Sequence, residues 1–148
     1  MVGLSEIRRP DSGETSSKRF TYYWSGMSSG HRVKGVAIGI YSRLQPFVVE
    51  VTRVDECIVR LRLKYSLGFM SEVAVYVPTE VCETGKKEMF YAKVDSVLDQ
   101  CPLPDALIVL GDFNAVTSTE RTGYEICAGP HGSGTRNDNS CAKLGMKP

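Results

Sequence analysis

Asp112 and Asn114 stand two residues apart at the end of the apolar run Ala106–Leu110. In extended geometry residues i and i+2 point to the same side, and Phe113 points the other way into packing. A carboxylate beside a carboxamide can hold a water and a phosphate oxygen. The same pair also favours turns, so a plain turn is the competing reading. Glu6 closes the short apolar stretch that begins at Val2. By itself a lone carboxylate there reads as a solvated surface charge. Tyr76 ends an alternating stretch, and its phenol can donate to a phosphate oxygen without carrying charge. It reads equally well as an amphipathic strand-end residue.

The elements that must position these groups follow from periodicity. Ala106–Leu110 suits a strand buried on both faces, with Gly111 allowing a tight exit. Strands are expected around 35–41, 47–54, 57–64 and 69–77, and Phe20 to Trp24 is aromatic and β-prone. Within 57–64, Val59, Leu61 and Leu63 share one face. Arg60, Arg62 and Lys64 share the other, as a wet basic surface or a phosphate contact. Residues 85–101 read as a helix with Phe90, Val94, Val97, Leu98 and Cys101 on its buried side. Thr84 is its expected N-cap, Lys86, Lys87, Lys93 and Asp95 its exposed side, and Pro102 its stop. Arg9 to Arg19, with Pro10 and Gly13, reads as loop. So do Gly26 to Gly30, with His31 as a solvated loop residue, and Val116 to Gly134. The glycines around His131 lack the Lys-Ser/Thr ending of a P-loop. Helix feeding strand after a series of antiparallel strands gives a layered α/β sandwich.

At 148 residues with 42% hydrophobic and 24% charged content, the chain suits one ordinary globular domain. The net charge of +1 gives no general pull toward nucleic acid. Residues 1–74 hold 11 Lys and Arg against 7 Asp and Glu, and residues 75–148 hold 7 against 10. A basic half beside an acidic one fits phosphate contacts near a metal, or a solvated surface. Five scattered cysteines, at 57, 82, 101, 127 and 141, form no Cys-x-x-Cys pair and read as reduced thiols of an intracellular protein. No membrane-length apolar run and no signal peptide are expected.

Gly111-Asp-Phe-Asn114 resembles a motif of the endonuclease/exonuclease/phosphatase superfamily. The likeness runs from Val2 to about Ser140, leaving 141–148 as a divergent tail. Residues Val2–Pro10, Phe20–Gly26, Lys34–Gly39 and Gly129–Thr135 are similar to the branch derived from non-LTR retrotransposon endonucleases. Tyr76-Val-Pro-Thr79 resembles that superfamily's Tyr-x-Pro-Asn loop, with Thr79 where Asn is common. Glu6 matches its metal-binding Glu, with Ser5 replacing a Gln or Asn. The resemblance implies hydrolysis of DNA phosphodiesters with Mg²⁺, or Mn²⁺. Glu6 would then bind the metal, and Asp112 would orient or deprotonate the attacking water. Asn114 would hold the phosphoryl group and Tyr76 support it. Two parts of the superfamily pattern are not matched: a first strand ending in Asn and a late Ser-Asp-His motif. Two readings therefore stand, a metal-dependent endonuclease and a catalytically silent interaction module. A sandwich lacking those strands is expected to leave the Val59/Leu61/Leu63 or Val73/Val75/Val77 rows uncovered. Its sheet edges would then be open to a protein partner or to self-association.

Overall fold

The computed structural model describes residues 1–28, 34–79, 81–116, 134–135 and 139. The chain forms two compact units, Met1–Tyr76 with Ala92–Asp112, and Val77–Tyr91 with Phe113–Pro148. In chain order the elements are β1 (Val2–Ser5), β2 (Ser12–Ser16), β3 (Phe20–Gly26), β4 (Gly35–Tyr41) and a 3-10 turn (Ser42–Phe47). They continue with β5 (Val48–Asp55), β6 (Ile58–Tyr65), β7 (Gly68–Tyr76), α1 (Thr84–Asp99) and β8 (Ala106–Asp112).

The first unit holds two four-stranded sheets, ordered β1-β4-β3-β2 and β5-β6-β7-β8. Among the described residues every pairing is antiparallel except β7 with β8, which is parallel and joined through α1. A parallel pair needs such a long crossover. Alternation along β3 sends Thr21, Tyr23 and Ser25 inward and leaves Phe20, Tyr22 and Trp24 half-exposed. Tyr23, Val36, Ile38 and Ile40 then meet Val59, Leu61, Leu63 and Ala74 of the second sheet in one core. Full burial of each large aliphatic side chain contributes about 2 kcal/mol. This is the layered α/β sandwich expected from the sequence.

Several local expectations are corrected. Val59, Leu61 and Leu63 are not uncovered: they are at most 4% exposed, because the first sheet closes over them. Val73, Val75 and Val77 are likewise buried. The uncovered apolar surface lies on β8 instead, where Leu107, Ile108 and Val109 are exposed. Among the described residues that strand pairs only with β7, and its exposed residues from Ala106 to Val109 show that it is not buried on both faces. The stretch Arg9–Arg19 contains a strand, β2, because pairing with β3 uses backbone groups that any residue carries. The strand expected from Phe47 is preceded by a 3-10 turn containing Pro46. The carbonyl of Glu83 accepts from the Lys86 and Lys87 amides, which puts the helix cap at Glu83 and not Thr84. Lys87 is buried, not exposed. No described helix is long and apolar enough to cross a membrane.

Two of the three cations on the outer face of β6 are enclosed in ion pairs. Arg60 is 7% exposed and pairs with Glu50, and it also donates to the Gln100 carbonyl just past α1. Arg62 grips Asp105 with two nitrogens, at 2.7 and 2.9 Å, and Ser71 donates to the same carboxylate. Lys93 on α1 reaches Asp55 at 2.6 Å. These bonds tie the helix and its exit onto the sheet. They replace the wet or phosphate-binding face that alternation suggested.

Candidate active site

The first unit gathers Glu6, Tyr76 and Asp112 at the C-terminal ends of three strands. Glu6 follows β1 directly and takes a left-handed backbone, φ 54°. For a residue with a Cβ this costs about 1 kcal/mol or more. The next amide, of Ile7, bonds the Gly35 carbonyl at 3.3 Å, so the chain leaves the strand at a fixed point. From there the Glu6 carboxylate accepts a hydrogen bond from the Tyr76 hydroxyl at 3.0 Å, across 70 residues of sequence.

Tyr76 is the last residue of β7, and the parallel register sets it opposite Asp112, the last residue of β8. Gly111 makes that approach possible. Its φ is 140°, and a Cβ there would overlap the Val75 carbonyl oxygen. Any other residue would push β8 away and take Asp112 with it. Partial burial raises the pKa of the Tyr76 phenol above its ordinary value, and the hydrogen bond to Glu6 and the charges of Glu6 and Asp112 add to this. The phenol therefore stays protonated and remains a donor. Two exposed carboxylates flank one neutral hydroxyl, an arrangement suited to a cation and a phosphate oxygen together.

Asn114 belongs to the second unit. Its φ of 46° is a left-handed backbone, beyond the end of β8 at Asp112. Its side-chain amide donates to the Val77 carbonyl at 2.7 Å. The fully buried Asn139 donates from Nδ2 to the carbonyls of Pro78 at 2.9 Å and of Asn114 at 3.2 Å. A lone Asn gives no signal of which distant carbonyls it joins. His31 and His131 lie outside the described residues.

Carboxylates and a phenol are hard oxygen donors, the kind Mg²⁺ takes. Among the described residues no three His, Cys, Asp or Glu side chains gather closely enough to hold an ion alone. Mg²⁺ commonly keeps several waters and takes only one or two carboxylates from its protein. Cys57, Cys82 and Cys101 are free thiols. Burial pushes the Cys57 thiol up to about 12, so it is a packing group and no nucleophile.

No protein-family model matches the chain. It is similar to craniofacial development protein 2 of Tragulus javanicus, 29% identical over 139 residues, which is 93% of this chain and 24% of that protein. The likeness to craniofacial development protein 2 of Bos taurus is 28% over 139 residues, 93% of this chain and 23% of that protein. The chain thus spans about a quarter of the length of these relatives.

Proposed function

We propose that the chain carries part of a metal-dependent phosphodiesterase site of the endonuclease/exonuclease/phosphatase type, with DNA as substrate. The observation that carries the proposal is the bond from Tyr76 to Glu6 with Asp112 in register beside it. Glu6 would hold Mg²⁺, or Mn²⁺, with its carboxylate. When bound, the ion would stabilise charge on the phosphoryl and leaving oxygens. Asp112 would orient the attacking water and accept its proton. Tyr76, kept neutral by its surroundings, would donate to a non-bridging phosphate oxygen.

A second reading, a silent interaction module, is favoured by the exposed apolar edge β8. One experiment separates the two. Supercoiled plasmid is incubated with the purified chain in Mg²⁺, in EDTA, and with Asp112→Ala. Mg²⁺-dependent nicking that Asp112→Ala lowers by about 100-fold or more supports the hydrolytic site. Equal nicking by both proteins, or none by either, leaves the interaction module.

A further inference from the structure

β3 turns Phe20, Tyr22 and Trp24 to the outside of the first sheet, and the register sets Tyr41 beside Phe20, Gly39 beside Tyr22 and Ala37 beside Trp24. Glycines let the rings lie close to the sheet. A Cβ on Gly39 would stand 2.8 Å from the Tyr22 ring, and one on Gly13 would stand 2.6 Å from the Trp24 ring. Phe20 and Tyr41 stack with centroids 4.7 Å apart, and Tyr22 follows at 6.0 Å from Phe20. Cations lie over this row: Arg9 over Trp24 at 4.8 Å, Arg19 over Phe20 at 5.6 Å and Arg43 over Tyr41 at 5.3 Å. Lys18 joins Arg19, Arg43 and Tyr41 around one open cleft. A second cleft, at the other end of the face, lies between Arg9, Tyr22 and Trp24. None of these four cations pairs with a carboxylate among the described residues. No Asp or Glu occupies an outward position of the four strands, since Glu14 shares the inward side with Tyr23.

We infer that this outer face binds single-stranded nucleic acid. Guanidiniums over rings, without a carboxylate partner among the described residues, supply positive charge for phosphates, and the rings supply planar surface for bases. The Tyr22 ring adds a neutral platform. Aromatic rings interleaved with cations are the features that bind single strands with little sequence preference. A duplex keeps its base faces stacked inside and would gain only the charge. An acidic peptide would use the cations and leave the rings idle. The Lys18, Arg19 and Arg43 end of the face is distinct from the candidate active site, whereas the Arg9 cleft takes in Leu4 and Ile7, close in sequence to Glu6. The Tyr41 end lies five strand steps along β4 from Val36, the partner of Ser5, or roughly 17 Å. The inference therefore stands without the hydrolytic reading.

Binding of a fluorescein-labelled oligothymidylate of about 20 nucleotides to the full chain is followed by anisotropy in excess EDTA, which silences any metal-dependent cleavage. The expected result is binding that weakens steadily with rising NaCl, and by about 10-fold or more in the double variant Arg19→Glu with Arg43→Glu. Tyr22→Ala weakens it by about 5-fold or more. The variant Arg19→Lys with Arg43→Lys keeps the salt dependence. Circular dichroism checks each fold, and Arg19→Gln with Arg43→Gln replaces the Glu pair if that melts. Failure of the wild type to bind at low salt overturns the inference, as does unchanged affinity in the charge variants. Equal affinity for a duplex of the same length overturns the stacking part. Sedimentation showing that the same substitutions dissolve a dimer would make the face a self-interface and also overturn it.

Discussion

The outer faces of the two sheets carry similar residues and treat them in opposite ways. On the second sheet, Arg60 and Arg62 are bound to Glu50 and Asp105, and Lys93 to Asp55. On the first, Arg9, Arg19 and Arg43 lie over aromatic rings and pair with no carboxylate among the described residues. A guanidinium on a ring keeps its charge available, whereas one gripping a buried carboxylate has spent it on the fold. The count of cations in a stretch therefore says little about ligands until their partners are known.

The largest expected effect tests the closed face. Arg62→Ala strands Asp105, whose side chain is 1% exposed. Removing one partner of a buried pair leaves an uncompensated charge, so the thermal midpoint should fall by roughly 10 °C. Arg62→Lys should recover little, since Lys cannot make the two-pronged contact. Arg62 holds the Asp105 carboxyl below its ordinary range. The stability this supplies is present above that range and is lost as the pH falls through the lowered value. The gap between wild type and variant should accordingly narrow in acid. A midpoint shift under about 2 °C at neutral pH would erase the contrast between the faces.

Between the sheets, a second carboxylate sharpens the contrast. Glu72 is fully buried and neither oxygen has a hydrogen-bond partner. Burial raises its pKa from 4.5 to about 7, against the pull of the positively charged chain start. Within that window the folded state keeps a proton that the unfolded state releases. Its contribution is thus complete below about pH 4.5 and lost as the pH rises through about 7, by about 3 kcal/mol. Urea unfolding from pH 4 to 8 should show the fall, and Glu72→Gln should flatten it. Asp105 and Glu72 thus have pH dependences of opposite sign, because one has partners and the other has none.

The smallest effect belongs to the open face. Arg19→Gln with Arg43→Gln should move the midpoint by no more than about 2 °C, since neither side chain is enclosed. A drop as large as that of Arg62→Ala would show that these cations hold the fold together after all.

Much of the framework was legible in the chain. Alternation located β6 to within a residue, and the apolar stretch Gly35–Tyr41 coincides with β4. Phe90 and Val97 are buried where the helical period put them. These succeeded because a strand or helix repeats its own face every two or 3.6 residues, a property of neighbours in sequence. Motif spelling drew attention to Glu6, Tyr76 and Asp112 one at a time. Nothing in the spelling carries the bond between residues 6 and 76. β2 was hidden because its residues are polar and its pairing is made by backbone groups.

The sequence by itself determined the apolar strands, the helix and the separation of apolar from charged faces, but not the polar strand β2. It did not determine that β8 would lie at an edge of the described sheet, that Arg62 would meet Asp105 across 43 residues, or that Arg19 and Arg43 would pair with no carboxylate among the described residues. Those outcomes depend on which elements become neighbours, and only the tertiary structure decided them. Local periodicity fixes the direction of a side chain relative to its own backbone. Its charge partner is set by the packing of segments far apart in the chain.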